Sequence, residues 1–258
     1  MLETKASHGR TSTHRRETPV SLEPTSRVVV IGGTSGVGLA VAHAARKAGA
    51  QVVVGSRSAE TVDRALAQLP GATGRPVDVT SGESVQSFFD SVGEFDHLVY
   101  TAGDAIAGGL IADYRPEEAQ RFFDIRLFRA LDTVRASLSS LRPAGSITLT
   151  AGSVAYRGGP GTLLGAAMSG AVISAARSLA NELAPRRVNV VALGIVRTPL
   201  WSGMTEEERT SLFASAGNNT LVGRVPEAED VAKSFIHLMD QDYVTGTVSL
   251  VDGGGVLN

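Results

Sequence analysis

Gly32, Gly36 and Gly38 stand in the stretch RVVVIGGTSGVGLAVAHAAR, residues 27–46, between an apolar run and a helical pattern. Lacking a Cβ, each lets the backbone take tight dihedrals and lie close against an anion such as a pyrophosphate. Val28 to Ile31 suit a strand covered on both faces. The helix that follows, with Leu39, Ala40, Ala42, Ala44 and Ala45, would aim its unpaired N–H groups and positive end at those phosphates. The spacing Gly-x-x-x-Gly-x-Gly differs from the commoner Gly-x-Gly-x-x-Gly, and an ordinary βα turn is the plainer alternative to a nucleotide cradle.

The elements that must hold this loop alternate along the chain. Strands are expected at 51–54, 75–79, 96–100, 146–151, 188–193 and 247–251, and helices at about 59–69, 81–91, 116–141, 166–183, 206–214 and 229–239. Such alternation implies one parallel sheet with helices on both faces. No repeat or linker interrupts it after residue 27, so a single domain over 27–258 is expected. Residues 1–26 are polar and carry both arginines and glutamates, which reads as a disordered N-terminal tail rather than a leader.

Composition narrows the partners. The chain has 258 residues, 43% hydrophobic and 19% charged, with a formal net charge of −2. That balance gives no electrostatic reason to expect nucleic acid or an anionic membrane. No apolar run is expected to approach membrane-spanning length, and zero cysteine excludes disulfides and thiolate ligands. A cytoplasmic location is compatible with this. The five histidines do not cluster with acids at metal-ligand spacing, so no metal site is expected.

Further motifs extend the loop: Asp78-Val79, Thr101-Ala102-Gly103, Ser178-Leu-Ala-Asn-Glu-Leu-Ala-Pro185, Arg187-Val-Asn-Val-Val191, Gly194-Ile-Val-Arg-Thr198-Pro and Val251-Asp-Gly-Gly254. In this order the chain resembles the classical short-chain dehydrogenase/reductase family over residues 27–258. The resemblance implies a Rossmann-like doubly wound parallel sheet in three layers, α/β/α, and a homodimer or homotetramer through the helices at 116–141 and 166–183. It implies that Gly32, Thr34, Ser35, Gly36, Val37 and Gly38 cradle the pyrophosphate of a nicotinamide dinucleotide. Asp78 and Val79 would flank the adenine, Ala102-Gly103 would pass beside the cofactor, and Thr198 would sit near the carboxamide. Thr101 replaces the family's usual Asn.

At the end of the second strand Ser56 stands where NAD-preferring members of that family carry a carboxylate, and Arg57 follows. A carboxylate would repel a 2′-phosphate, whereas a guanidinium can hold one by charge-assisted hydrogen bonds, so NADP(H) is the expected cofactor. A solvated loop arginine is the plainer alternative.

The family's proton relay of Asn, Ser, Tyr and Lys is largely missing. Counting from flanking motifs puts the tyrosine at Gly165 or Ala166 and the lysine at Ser169 or one residue on; residues 157–185 contain neither Tyr nor Lys. The asparagine's position falls on Arg126, and Ser153 alone remains. Arg126 could supply the missing positive charge, polarising a carbonyl or holding a carboxylate, though not donating a proton. The alternative is a helix arginine paired with Asp124, Glu118 or solvent. Tyr156 is the nearest remaining phenol, and a packing or rim role competes with an acid role. Trp201 and Met204 open the polar stretch at about 198–224 where the family carries its substrate lid.

The leading expectation is an NADP(H)-dependent oxidoreductase acting on a small carbonyl, alcohol or enone, with a non-standard acid–base site. The alternatives are a non-redox cyclase, dehydratase or isomerase reusing the pocket, or a catalytically silent NADP(H) sensor.

Overall fold

A computed structural model describes residues 22–106 and 108–258. Among these residues seven parallel strands form one sheet in the order β3-β2-β1-β4-β5-β6-β7. The strands are β1 (Arg27–Ile31), β2 (Gln51–Ser56), β3 (Thr73–Pro76), β4 (Phe95–Tyr100), β5 (Leu141–Gly152), β6 (Arg187–Leu193) and β7 (Val248–Val251). The helices are α1 (Gly36–Lys47), α2 (Ala59–Leu66), α3 (Gly82–Val92), α4 (Pro116–Phe123), α5 (Arg129–Ser137), α6 (Leu163–Glu182), α7 (Glu206–Asn218) and α8 (Ala228–Asp240). The expected Rossmann-like three-layer α/β/α architecture is the one observed.

Period-two alternation explains why the sheet is buried on both sides. Val29 and Ile31, Leu98, and Ile147 and Leu149 pack with Phe88, Phe89, Phe122 and Val172. Val28 and Val30, Val52 and Val54, Val99 and Val191 pack on the other face with Val41, Phe235 and Leu238. β1 pairs with β2 on one side and with β4 on the other, so the chain reverses its winding direction between β1 and β4. Sheets of this kind bind ligands in the crevice at the carboxyl ends of the strands flanking that reversal.

Four expectations need correction. The third strand ends at Pro76 rather than Val79, because its partner β2 ends at Ser56 and only Val77 N–H still reaches the Ser56 carbonyl, at 2.8 Å. The expected tail is ordered from Leu22 onward. Leu22 packs on the core, and Ser26 is buried, accepting from Glu23 N–H through its hydroxyl and from Gln51 N–H through its carbonyl. Residues 1–21 lie outside the described residues. The single helix expected over 116–141 is three pieces: α4, a π-turn at Asp124–Phe128, and α5, after which Leu141 already pairs with Phe95. Finally, α6 is by length and composition apolar enough to cross a membrane, but it is a layer helix packed on β5 and β6.

Candidate functional site

The glycine loop leaves β1 at the reversal point. Gly32 has φ +83, and a Cβ there would stand 2.6 Å from Ala102 N and 2.8 Å from the Thr101 carbonyl carbon. Gly38 lies so close to the Gly32 carbonyl and the Thr101 hydroxyl, 2.5 Å from a notional Cβ, that no side chain fits. Gly36, at φ +51, faces the Thr198 side chain, whose Cβ is 3.2 Å from a notional Cβ. Loop, β4 end and the start of the 198–201 turn therefore meet at backbone distance. Ser35 is the N-cap of α1 with no side-chain cap bond, and Leu39 N–H is the first to bond back, to the Ser35 carbonyl. The N–H groups of Gly36, Val37 and Gly38 precede that first bond and point out of the helix end, beside Thr34 and Ser35, as an anion cradle requires. The residues thus fit the pyrophosphate of a dinucleotide.

Beside this cradle, Gly55 at the end of β2 accepts from Gly32 N–H at 2.8 Å. Ser56 is half-buried, and its hydroxyl accepts from Thr61 at 3.4 Å. Arg57 is exposed and has no ion pair among the described residues, so its charge is available. The Asp78 carboxylate accepts from the Thr80 hydroxyl at 2.7 Å and the Thr80 N–H at 2.9 Å, and these bonds, with some help from Arg57, hold its pKa below the usual value. Asp78 is thereby fixed in place, while Val79 packs on the core.

At the β4 end Thr101 does locally what the missing asparagine would do. Its hydroxyl donates to the carbonyls of Ile31 at 3.1 Å and Gly32 at 3.3 Å, tying the two strand ends together. Ala102 is half-buried and Gly103 exposed, and a Cβ on Gly103 would fall on the Arg126 guanidinium. Arg126 is carried by the π-turn, whose surplus residue turns it inward; such bulges gather at functional positions. Its side chain is 12% exposed and lies over the Phe122 ring at 4.8 Å. It donates to the Asp104 carbonyl and sits 3.5 Å from that residue's carboxylate. Burial lowers its pKa, opposed by Asp104, but a guanidinium stays charged, and its Nε has no partner among the described residues. The partner weighed from sequence was the wrong acid: Asp124 binds Arg129 at 3.0 Å, and Glu118 faces Arg115 at 3.8 Å. Asp104 gave no signal in the pattern, since a loop acid has no periodicity to betray its neighbour.

Ser153 begins a short 3-10 turn at the end of β5, with Tyr156 N–H donating to its carbonyl at 2.9 Å. Tyr156 is 49% exposed, a rim position. α6 packs against both this turn and the π-turn of Arg126. No hydrogen bond joins Ser153, Tyr156 and Arg126 to one another among the described residues, so they share a neighbourhood without forming a relay. One of the two registers left open for the tyrosine and lysine falls on Gly165 and Ser169. Gly165 faces Val154, and the buried Ser169 hydroxyl accepts from Gly152 N–H at 2.9 Å. Trp201 is half-buried with its indole N–H donating to the Val196 carbonyl at 2.9 Å, which fixes the root of the 198–224 stretch.

With this geometry in hand, the comparisons with known proteins are informative. A family model described as enoyl-(acyl carrier protein) reductase matches residues 32–255. A protein named short-chain dehydrogenase/reductase ucsE, from Acremonium sp, is 31% identical over 250 residues, spanning 89% of this chain and 95% of its own. Among solved structures, a small-chain dehydrogenase in complex with NADPH superposes with a TM-score of 0.79 at 30% identity, covering 91% of this chain and all of that one. The MalC reductase/Diels-Alderase from Malbranchea aurantiaca superposes with a TM-score of 0.85 at 28% identity, covering 92% of this chain and 99% of its own.

Proposed function

The chain belongs to the short-chain dehydrogenase/reductase family, and from that premise we propose that it is an NADP(H)-dependent oxidoreductase acting on a small carbonyl, alcohol or enone. The observation that carries this reading is the cofactor crevice: glycines with no room for a Cβ, an open helix end, and Ser56 where a carboxylate would select against a 2′-phosphate, followed by Arg57, which has no ion pair among the described residues. The similar NADPH complex supports it. When bound, the nicotinamide supplies or accepts the hydride.

The chain's own residues bind, orient and stabilise charge. The α1 N–H groups hold the pyrophosphate, Arg57 the 2′-phosphate, and Asp78 and Val79 the adenine side. Ala102 and Gly103 give the cofactor room to pass, with Thr198 closing against Gly36. Ser153 can donate its hydroxyl to a substrate oxygen. Arg126 presents a fixed positive charge beside Gly103, suited to an oxygen that becomes negative as hydride arrives, and the final proton comes from water rather than a phenol. Preorganised charge of this kind accounts for about 10²–10³ in rate where it has been removed elsewhere.

A second reading is favoured by one observation, the absence of any Tyr or Lys from residues 157–185. It is a non-redox reaction in the same pocket, and the name of the MalC neighbour pairs a reductase with a Diels-Alderase. NADPH carrying deuterium at the transferable C4 position, incubated with a panel of ketones and enones, separates the two. Deuterium in the product supports the oxidoreductase. Converted substrate without label, or NADPH binding with no consumption across the panel, overturns it.

A further inference from the structure

We infer that Tyr100 is a positioning residue, whose buried hydroxyl pins the π-turn carrying Arg126 and so fixes where that guanidinium meets the cleft. Tyr100 is the last residue of β4, directly before Thr101-Ala102-Gly103, and is 3% exposed. Its hydroxyl donates to the Ile125 carbonyl at 2.6 Å, and Ile125 is the residue before Arg126 within the turn. Its own backbone carbonyl accepts from the Thr150 hydroxyl at 2.9 Å, a tie of β4 to β5 that is separate from the bond the ring hydroxyl makes to the turn.

This link is needed because a π-turn is an awkward geometry to hold. Its wider ring departs from the regular helical bonding, and single-turn examples persist where the surroundings support them. Arg126 is otherwise held by Asp104 and the Phe122 ring, and its Nε has no partner among the described residues. Burial raises the Tyr100 pKa despite the nearby Arg126 charge, so the phenol stays protonated and keeps donating across the working pH range. Tyr100 is thus no proton shuttle. The short bond to Ile125 sets the direction in which the next side chain leaves the turn.

The inference rests on the role given to Arg126 above. Its test uses the full chain with Tyr100→Phe, Arg126→Ala, the double variant and Thr150→Val as a control. Steady-state constants are measured with NADPH and the ketone or enone turned over fastest in the panel. Accessibility of Arg126 is read separately by phenylglyoxal modification and peptide mass mapping, which needs no substrate. Tyr100→Phe should lower kcat about tenfold, the scale of one buried hydrogen bond, with KM within about twofold. It should also raise the rate of Arg126 modification severalfold.

In the Arg126→Ala background the same change should have no further effect on kcat, as expected for residues acting as one unit. An equal fractional loss in both backgrounds, unaltered modification of Arg126, or the same kcat loss in Thr150→Val would overturn the assignment in favour of plain packing at the β4–β5 edge. If Arg126→Ala turns over substrate like wild type, the reading of Arg126 itself fails, and Tyr100 falls with it. If Arg126→Ala is impaired while Tyr100→Phe matches wild type, only the positioning role fails.

Discussion

Replacing Arg57 with Ala should convert a preference for NADPH into near indifference between the two nicotinamide nucleotides. Arg57 is exposed and has no ion pair among the described residues, so truncation should change folding stability by no more than about 0.5 kcal/mol. What is lost is the charge-assisted grip on a 2′-phosphate, about 1.5–3 kcal/mol for hydrogen bonds to a charged group. At about 1.4 kcal/mol per tenfold, the NADPH Kd should rise roughly 10- to 150-fold. The NADH Kd, with no phosphate to hold, should stay within about twofold. The site is open to solvent, so raising salt from about 0.1 M to 1 M shortens the screening length from about 10 Å to 3 Å and should narrow the wild-type preference as well. Titration of both nucleotides by fluorescence, at two salt concentrations, reads all of this. If NADPH and NADH weaken equally, or NADPH binding is untouched, Arg57 does not touch the phosphate and the cofactor reading fails at its most specific point.

Two further outcomes follow from buried groups. Ser169→Ala should leave Gly152 N–H without its 2.9 Å partner beneath α6, at a cost of about 1–3 kcal/mol. Thermal unfolding should therefore move down by several degrees, and an unchanged Tm would mean water replaces the hydroxyl there. His97 is fully buried, with Nδ1 2.8 Å from the Ser146 hydroxyl, and burial pushes its pKa from 6.5 down to about 4, with Asp96 opposing. A base with a depressed folded pKa gives stability that is present above pH 6.5 and lost as pH falls toward 4, because the unfolded chain binds the proton first. Urea unfolding should show stability dropping by about 3 kcal/mol across that window, and His97→Gln should flatten the slope. A slope identical in the variant would assign the acid sensitivity to other groups.

The glycine loop and the strands were legible because their causes are local. Unbroken Val and Ile runs in β1 and β2 suit a sheet covered on both faces, and Gly32 and Gly38 stand where the fold forbids a Cβ. The break in the helix at 124–128 was hidden because Asp-Ile-Arg-Leu-Phe contains no Gly or Pro, and the bond it receives there, from Tyr100, is a tertiary one. The same blindness misassigned the partner of Arg126, since Asp104 lies 22 residues upstream on another element. The missing Tyr and Lys could be read as absences from sequence alone. That Ser169 is turned to a backbone amide required the packing of α6 on β5.

The surplus residue at 124–128 is taken up by the wider turn. Each residue of a regular helix advances the chain by about 100° around its axis, so an extra position without such a turn would rotate everything downstream by about a quarter turn. Phe122 before it, and Ala130, Thr133, Val134 and Ser137 after it, all end up buried. The wide turn lets both stretches keep their apolar stripes against the core while it re-aims the side chains it carries. Removing one residue and closing the turn to a regular helix would therefore leave those stripes where they are and move the guanidinium. The cleft can be altered at this segment without rewriting the core.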